Sequence, residues 1–83
     1  MNSTHYVRLA TELAHNGFIS WLSAFCHENN VEANAKSRFI RADGVFAITQ
    51  FSPNGKSDDI INAAAAFGTL IDENANLVPY PIA

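Results

Sequence analysis

The sequence is short of charge. Asp, Glu, Lys and Arg make up 16% of its 83 residues, with five basic residues against eight acidic ones and a formal charge of −3. Five Lys and Arg spread along the chain do not promise the phosphate-neutralising cluster that nucleic-acid binding needs. A net charge this small also falls short of a polyanion mimic. One cysteine, Cys26, excludes an internal disulfide framework and fits a reducing cytoplasm. No apolar run approaches the ~20 residues that span a bilayer. The segment Met1-Asn2-Ser3-Thr4-His5-Tyr6 lacks the charged and apolar regions of a secretory signal, so the Asn2-Ser3-Thr4 sequon is idle. The expectation is a cytoplasmic protein with no membrane partner.

What is present is apolar and amide-rich. Hydrophobic residues reach 48%, which argues against disorder, and Asn supplies much of the polar surface. A chain of this length reads as one domain, 1–83, that buries roughly 60% of its unfolded surface. Its strongest local signal is Phe39-Ile40-Arg41-Ala42-Asp43-Gly44-Val45-Phe46-Ala47-Ile48. Two β-rich runs meet there at Asp43-Gly44, the mark of a tight hairpin. A two-residue turn sets Ala42 opposite Val45, Arg41 opposite Phe46, and Phe39 opposite Ile48. One face of the ribbon then carries Ile40, Ala42, Val45, Ala47 and Phe51. The other carries Phe39, Phe46 and Ile48 beside Arg41, so both faces call for cover or a partner.

Helical spacing accounts for the flanks. Tyr6, Leu9, Ala10 and Leu13 recur as one stripe after a cap at Asn2, Ser3 or Thr4. Phe18, Ile19, Trp21, Leu22, Phe25 and Cys26 form a second stripe out of phase with the first. The mismatch favours two helices broken at Asn16-Gly17 over one long helix from 3 to 28, and the polar stretch from Glu28 to Lys36 predicts a connection. Beyond the turn at Ser52-Pro53-Asn54-Gly55, Ser57 is positioned to cap a helix with Asp58 and Asp59 in its first turn. Ile60, Ala63, Ala64, Phe67, Leu70 and Ile71 would form its buried stripe, with Phe67 at the centre. Two prolines make the tail from Leu77 to Ile82 an edge segment or an arm. The fold class is α+β: two N-terminal helices, a hairpin, one helix and an extended tail.

Motifs for chemistry are sparse. Cys26 and His27 are adjacent, and neighbouring helical side chains point about 100° apart, which suits a core thiol better than a nucleophile pair. His5, His15 and His27 lack metal-site spacing, and no cofactor is expected. Asp58-Asp59 and Asp72-Glu73 lie too far apart to act together, and only the first pair is explained by a helix N-terminus. A pocket near Trp21 and Cys26 is the enzyme or small-ligand alternative. Arg38 and Arg41 interleave with Phe39 and Phe46, a mixture that protein interfaces favour.

The reading is therefore a small protein-interaction module that binds another chain, either a second copy or a host protein. Its surface would lie around Arg38, Arg41, Phe46 and Gln50, or on the thin-coated outer face of the last helix around Asn62, Thr69 and Glu73. A structural subunit of a homo-oligomer is the other alternative. Small, acidic, motif-free chains resemble phage and mobile-element accessory proteins, inhibitors among them; the resemblance is one of profile, carried by no residue motif.

Overall fold

The computed structural model describes residues 3–78. It is α+β, as composition and patterning predict, but its element order is βαββαβ. The elements are β1 (His5–Leu9), α1 (Glu12–Asn29), β2 (Ala33–Ala42), β3 (Val45–Pro53), α2 (Ser57–Phe67) and β4 (Thr69–Ile71). Two helices replace the expected three.

The first expected helix is a strand. His5, Val7 and Leu9 turn to one side, where Val7 and Leu9 are fully buried, while Tyr6 and Arg8 turn to the other. A run this short satisfies period 2 as well as period 3.6, and sheet pairing decides between them. Leu13, placed in that first stripe, is 84% exposed. The helix cap is Thr11, whose Oγ1 accepts from Ala14 N–H at 3.1 Å; of the expected caps, Asn2 lies outside the described residues.

Helix α1 then runs unbroken through Asn16-Gly17. Gly17 is a close-approach residue: a Cβ there would stand 2.8 Å from the Phe67 ring of α2. His15, Phe18 and Leu22 form its buried stripe, and Asn30, left-handed at φ 55°, ends it. The expected connection from Glu28 to Lys36 is the last turn of α1 followed by the start of β2.

The sheet order is β2-β3-β1-β4, antiparallel throughout. β3 lies between the parallel strands β1 and β2, and β1 between β3 and β4, which is the split-βαβ (ferredoxin-like) arrangement. Both helices cover one face. There Phe18, Leu22, Ile60 and Ala64 meet Val7, Leu9, Phe51 and Leu70, and the Phe18 and Phe51 rings pack edge-on at 5.5 Å. Phe67 is only half-buried beside Phe18, so the centre of the core is Phe18 and Phe51.

The hairpin turns at Asp43-Gly44 with Ala42 opposite Val45, as expected, and Gly44 has φ +78°. The rest of the expected register is wrong. Phe39 faces Ala47 and Arg38 faces Ile48, because the ladder shifts between Phe39 and Ala42, with Arg41 left-handed at φ 54°. The reason is solvation. An unbroken ladder would have set Arg38 against Thr49 and Lys36 against Phe51, pointing both cations into the fully buried layer of β3. One bulge rotates them to water.

Helix α2 begins at Ser57 without the expected side-chain cap; left-handed Lys56 precedes it, and Asp58 and Asp59 occupy the first turn. It stops at Gly68, so Leu70, Ile71 and Thr69 belong to β4 rather than to the helix, and Glu73 lies beyond the strand. Asp72 Oδ1 accepts from Asn74 N–H at 2.8 Å and Asn76 N–H at 2.9 Å. These donors hold its carboxyl below the usual carboxylate range. This accounts for Asp72, which no helix dipole could, and the turn returns the chain so that Leu77 bridges Ile71. The edge role expected of the tail is met at Leu77 and Val78; residues 79–83 lie outside the described residues.

Gly68 carries the tightest constraint. A Cβ there would meet the Arg8 carbonyl oxygen at 2.3 Å and Leu9 Cδ2 at 2.9 Å. Gly68→Ala should cost about 3 kcal/mol or more by overpacking. Gly44→Ala should cost about 1–2 kcal/mol from its left-handed backbone alone. Urea melts of the two variants check this, and equal midpoints would show that the α2–β4 reversal is loose.

Candidate functional site: the open sheet face and its β2 edge

The helices leave the second face of the sheet uncovered. Pairing and pleat place its side chains in two rows: Thr69, Arg8, Ile48 and Arg38, then Ile71, Tyr6, Gln50 and Lys36. A groove of about 440 Å³ crosses them, bounded by Lys36 and Arg38 on the β2 side and by Asp72 and Glu73 on the other. Three of the chain's five basic residues thus share one face. Only the fold gathers them; the i, i+2 spacing of Lys36 with Arg38, beside Tyr6 with Arg8, was the signal in the sequence.

The expected binding residues divide among three places. Arg38, Gln50 and Thr69 stand on the open face, and Glu73 rims its groove. Asn62 is exposed on α2, in the helix layer, and does not join them. Arg41 and Phe46 lie at the hairpin end. There Phe39 and Phe46 pack edge-on at 5.4 Å, and the Arg41 guanidinium carbon lies 5.5 Å and 5.9 Å from the two ring centroids. Arg41 is a cap on this aromatic pair. Phe39 remains 49% exposed.

Beneath this cap sits His15, 8% exposed, with Phe39 at 5.2 Å and Phe46 at 5.6 Å. Its Nε2 is 2.8 Å from Ser37 Oγ, which is 2.8 Å from Thr49 Oγ1, and its Nδ1 is 3.1 Å from Asn16 Oδ1. With the proton on Nδ1, His15 donates to Asn16 and accepts from Ser37, which accepts from Thr49, so the whole chain is satisfied. Base, hydroxyl and orienting group stand in the order of a nucleophilic triad, an arrangement that sequence spacing did not reveal. Thr49 is fully buried and His15 is boxed by two rings, whereas Ser37 is half-buried and Asn16 exposed, so the relay runs from the core to the surface and ties α1 to β2.

The Trp21/Cys26 alternative separates. Trp21 stacks on Phe25 at 4.7 Å, while Cys26 lines a furrow between α1 and β2 with Ile19, Leu22, Ala33 and Ala35. Cys26 is half-buried rather than sealed, and burial pushes its thiol pKa up, which disfavours the reactive thiolate. Among the described residues no three His, Cys, Asp or Glu side chains converge as a metal site. No helix among them is long and apolar enough to cross a membrane. Compared with protein-family models, curated proteins and solved structures, the chain matches none.

Two measurements follow from the histidines. Ser37→Ala strands His15 Nε2 and Thr49, and should destabilise by about 1–3 kcal/mol; an unchanged melt would place the relay outside the core. His5 is half-buried, with Nε2 sealed and unpartnered among the described residues, and burial lowers its pKa below the ordinary 6.5. The unfolded chain therefore binds that proton more readily. The His5 contribution is complete above pH 6.5 and is lost as pH falls through the lower folded value. The melting temperature should drop in mild acid, and His5→Phe, which keeps the packing on Phe51, should remove that part of the drop. An identical pH profile in the variant would assign it to other groups.

Proposed function

We propose that this protein is a binding module that docks another protein chain on its open sheet face and the adjoining β2 edge. The observation that supports this most directly is the standing of β2. Among the described residues it is the longest strand, pairs only with β3, and leaves its other backbone edge free, while the opposite end of the sheet is bridged by Leu77. On the open face that runs from that edge across β3 to β1 lie Tyr6, Ile48, Gln50 and three cations, the mixture of aromatic, apolar and guanidinium groups that protein interfaces favour. Occlusion of a partner's surface by so small a domain would serve an inhibitory role, in line with the accessory-protein profile.

Affinity capture with surface variants tests this. Ile48→Asp and Tyr6→Ala alter the open face, and Asn62→Lys alters α2; each should melt close to wild type. A stoichiometric partner held by the wild type should weaken roughly tenfold or more with Ile48→Asp and persist with Asn62→Lys. Loss with Asn62→Lys and retention with Ile48→Asp would move the docking surface to the helix layer.

A further inference from the structure

Open strand edges accept another strand through main-chain hydrogen bonds, and the side chains standing over the edge select which one. Along β2 the regular run is Ala33 to Phe39, because the bulge interrupts the ladder beyond it. Over that run Lys36 and Arg38 stand on the open face, while Ala35, Ser37 and Phe39 stand on the helix side. Resting on the protein-binding reading above, we infer that the occupant of the β2 edge is an extended segment of a partner protein with carboxylates at alternate positions. It adds as a fifth strand, with its two acidic side chains opposite Lys36 and Arg38. The residue between them is small, opposite Ser37, and an apolar one lies by the half-exposed Phe39.

The same two cations disfavour a second copy of this chain in the registers that bring them together, which are those centred on Lys36, Ser37 or Arg38. A two-fold axis that joins two such sheets, with the helix layers on one side, pairs β2 residues lying on the same face. Centred on Ser37, it sets each Lys36 against the Arg38 of the other copy, twice. Centred on Lys36, it sets that residue against itself. Like charges directly opposite are destabilising. A nucleic-acid strand fits less well than an acidic peptide. Single-strand platforms stack several bases on aromatic side chains, whereas among the described residues this face offers one, Tyr6.

The probes are end-blocked peptides of alternating Thr and Glu or of alternating Thr and Lys, and oligothymidylate. Amide hydrogen exchange over residues 33–39 and sedimentation equilibrium are the readouts. The Thr-Glu peptide should slow exchange along β2, and the other two should not. The double variant Lys36→Glu/Arg38→Glu should reverse the preference between the peptides. Arg38→Glu alone turns both Lys36–Arg38 repulsions of the Ser37-centred pairing into attractions. It should tighten self-association by about tenfold, and adding Lys36→Glu should undo it. Equal protection by both peptides, none by either, stronger protection by oligothymidylate, or a monomeric Arg38→Glu would each overturn the inference. A captured partner that still depends on Ile48 would then leave the open face as a docking surface without strand addition, so the two readings fail separately.

Discussion

Val7 and Leu9 of β1 lie fully buried opposite Thr49 and Ala47 of β3, and the pairing of these two strands governs everything beside them. It commits Ala47, Thr49 and Phe51 to the helix side, because a slip of one residue would exchange the faces of a strand whose inner row is completely enclosed. β2 must then pair with a strand whose faces are already assigned. Its own sequence, Lys36-Ser37-Arg38-Phe39, tolerates only one phase: Ser37 and Phe39 inward, the two cations outward. A two-residue turn at Asp43-Gly44 delivers the opposite phase. The bulge at Ile40-Arg41 resolves the conflict at the cost of one left-handed non-glycine residue, which the contact of the Arg41 guanidinium with Phe39 and Phe46 offsets.

The same phase choice segregates charge. Arg8, Lys36 and Arg38 gather on the face that no helix covers. Asp58, Asp59, Glu12 and Glu28 lie on or at the ends of the two helices. A protein that is acidic as a whole therefore carries three cations on one face, with Asp72 and Glu73 at the far rim of its groove, and average composition does not reveal that arrangement. Charged side chains are also a common protection of strand edges against indiscriminate pairing. Protection and selection are compatible, since a charge that repels a second copy attracts a complementary strand with the same force.

Local, short-range signals were legible in the sequence. The Asp43-Gly44 turn, the acidic first turn of α2, the apolar stripe of Phe18 and Leu22, and the α+β class all follow from residue types at fixed spacing. What escaped depends on pairing between distant segments. Tyr6-Val7-Arg8-Leu9 reads as strand only once β3 and β4 flank it. Gly17 reads as a helix stop until Phe67 is seen to occupy the space where its side chain would be. The hairpin register departs from the one that a two-residue turn sets by itself, because that register would bury Lys36 and Arg38. Of the binding residues expected, Arg38, Gln50 and Thr69 converge on one face, while Arg41 and Phe46 serve the hairpin end.

The Asn16–His15–Ser37–Thr49 relay bears on whether the site is one of catalysis or of binding. Catalysis requires that the hydroxyl meet a substrate while the base keeps its orientation. Here the base is packed between two aromatic rings, and the hydroxyl donates to it while accepting from a fully buried threonine. Ser37 is half-buried and also borders the open-face groove. The network, with the contact of Phe39 on His15 and the packing of Ala33 on the core, joins β2 to α1. A strand edge held in that way presents its backbone groups preorganised, and the ordering cost of adding a partner strand falls on the partner alone. A polar relay under an exposed edge is thus consistent with recognition, because it makes the outermost strand of the sheet rigid.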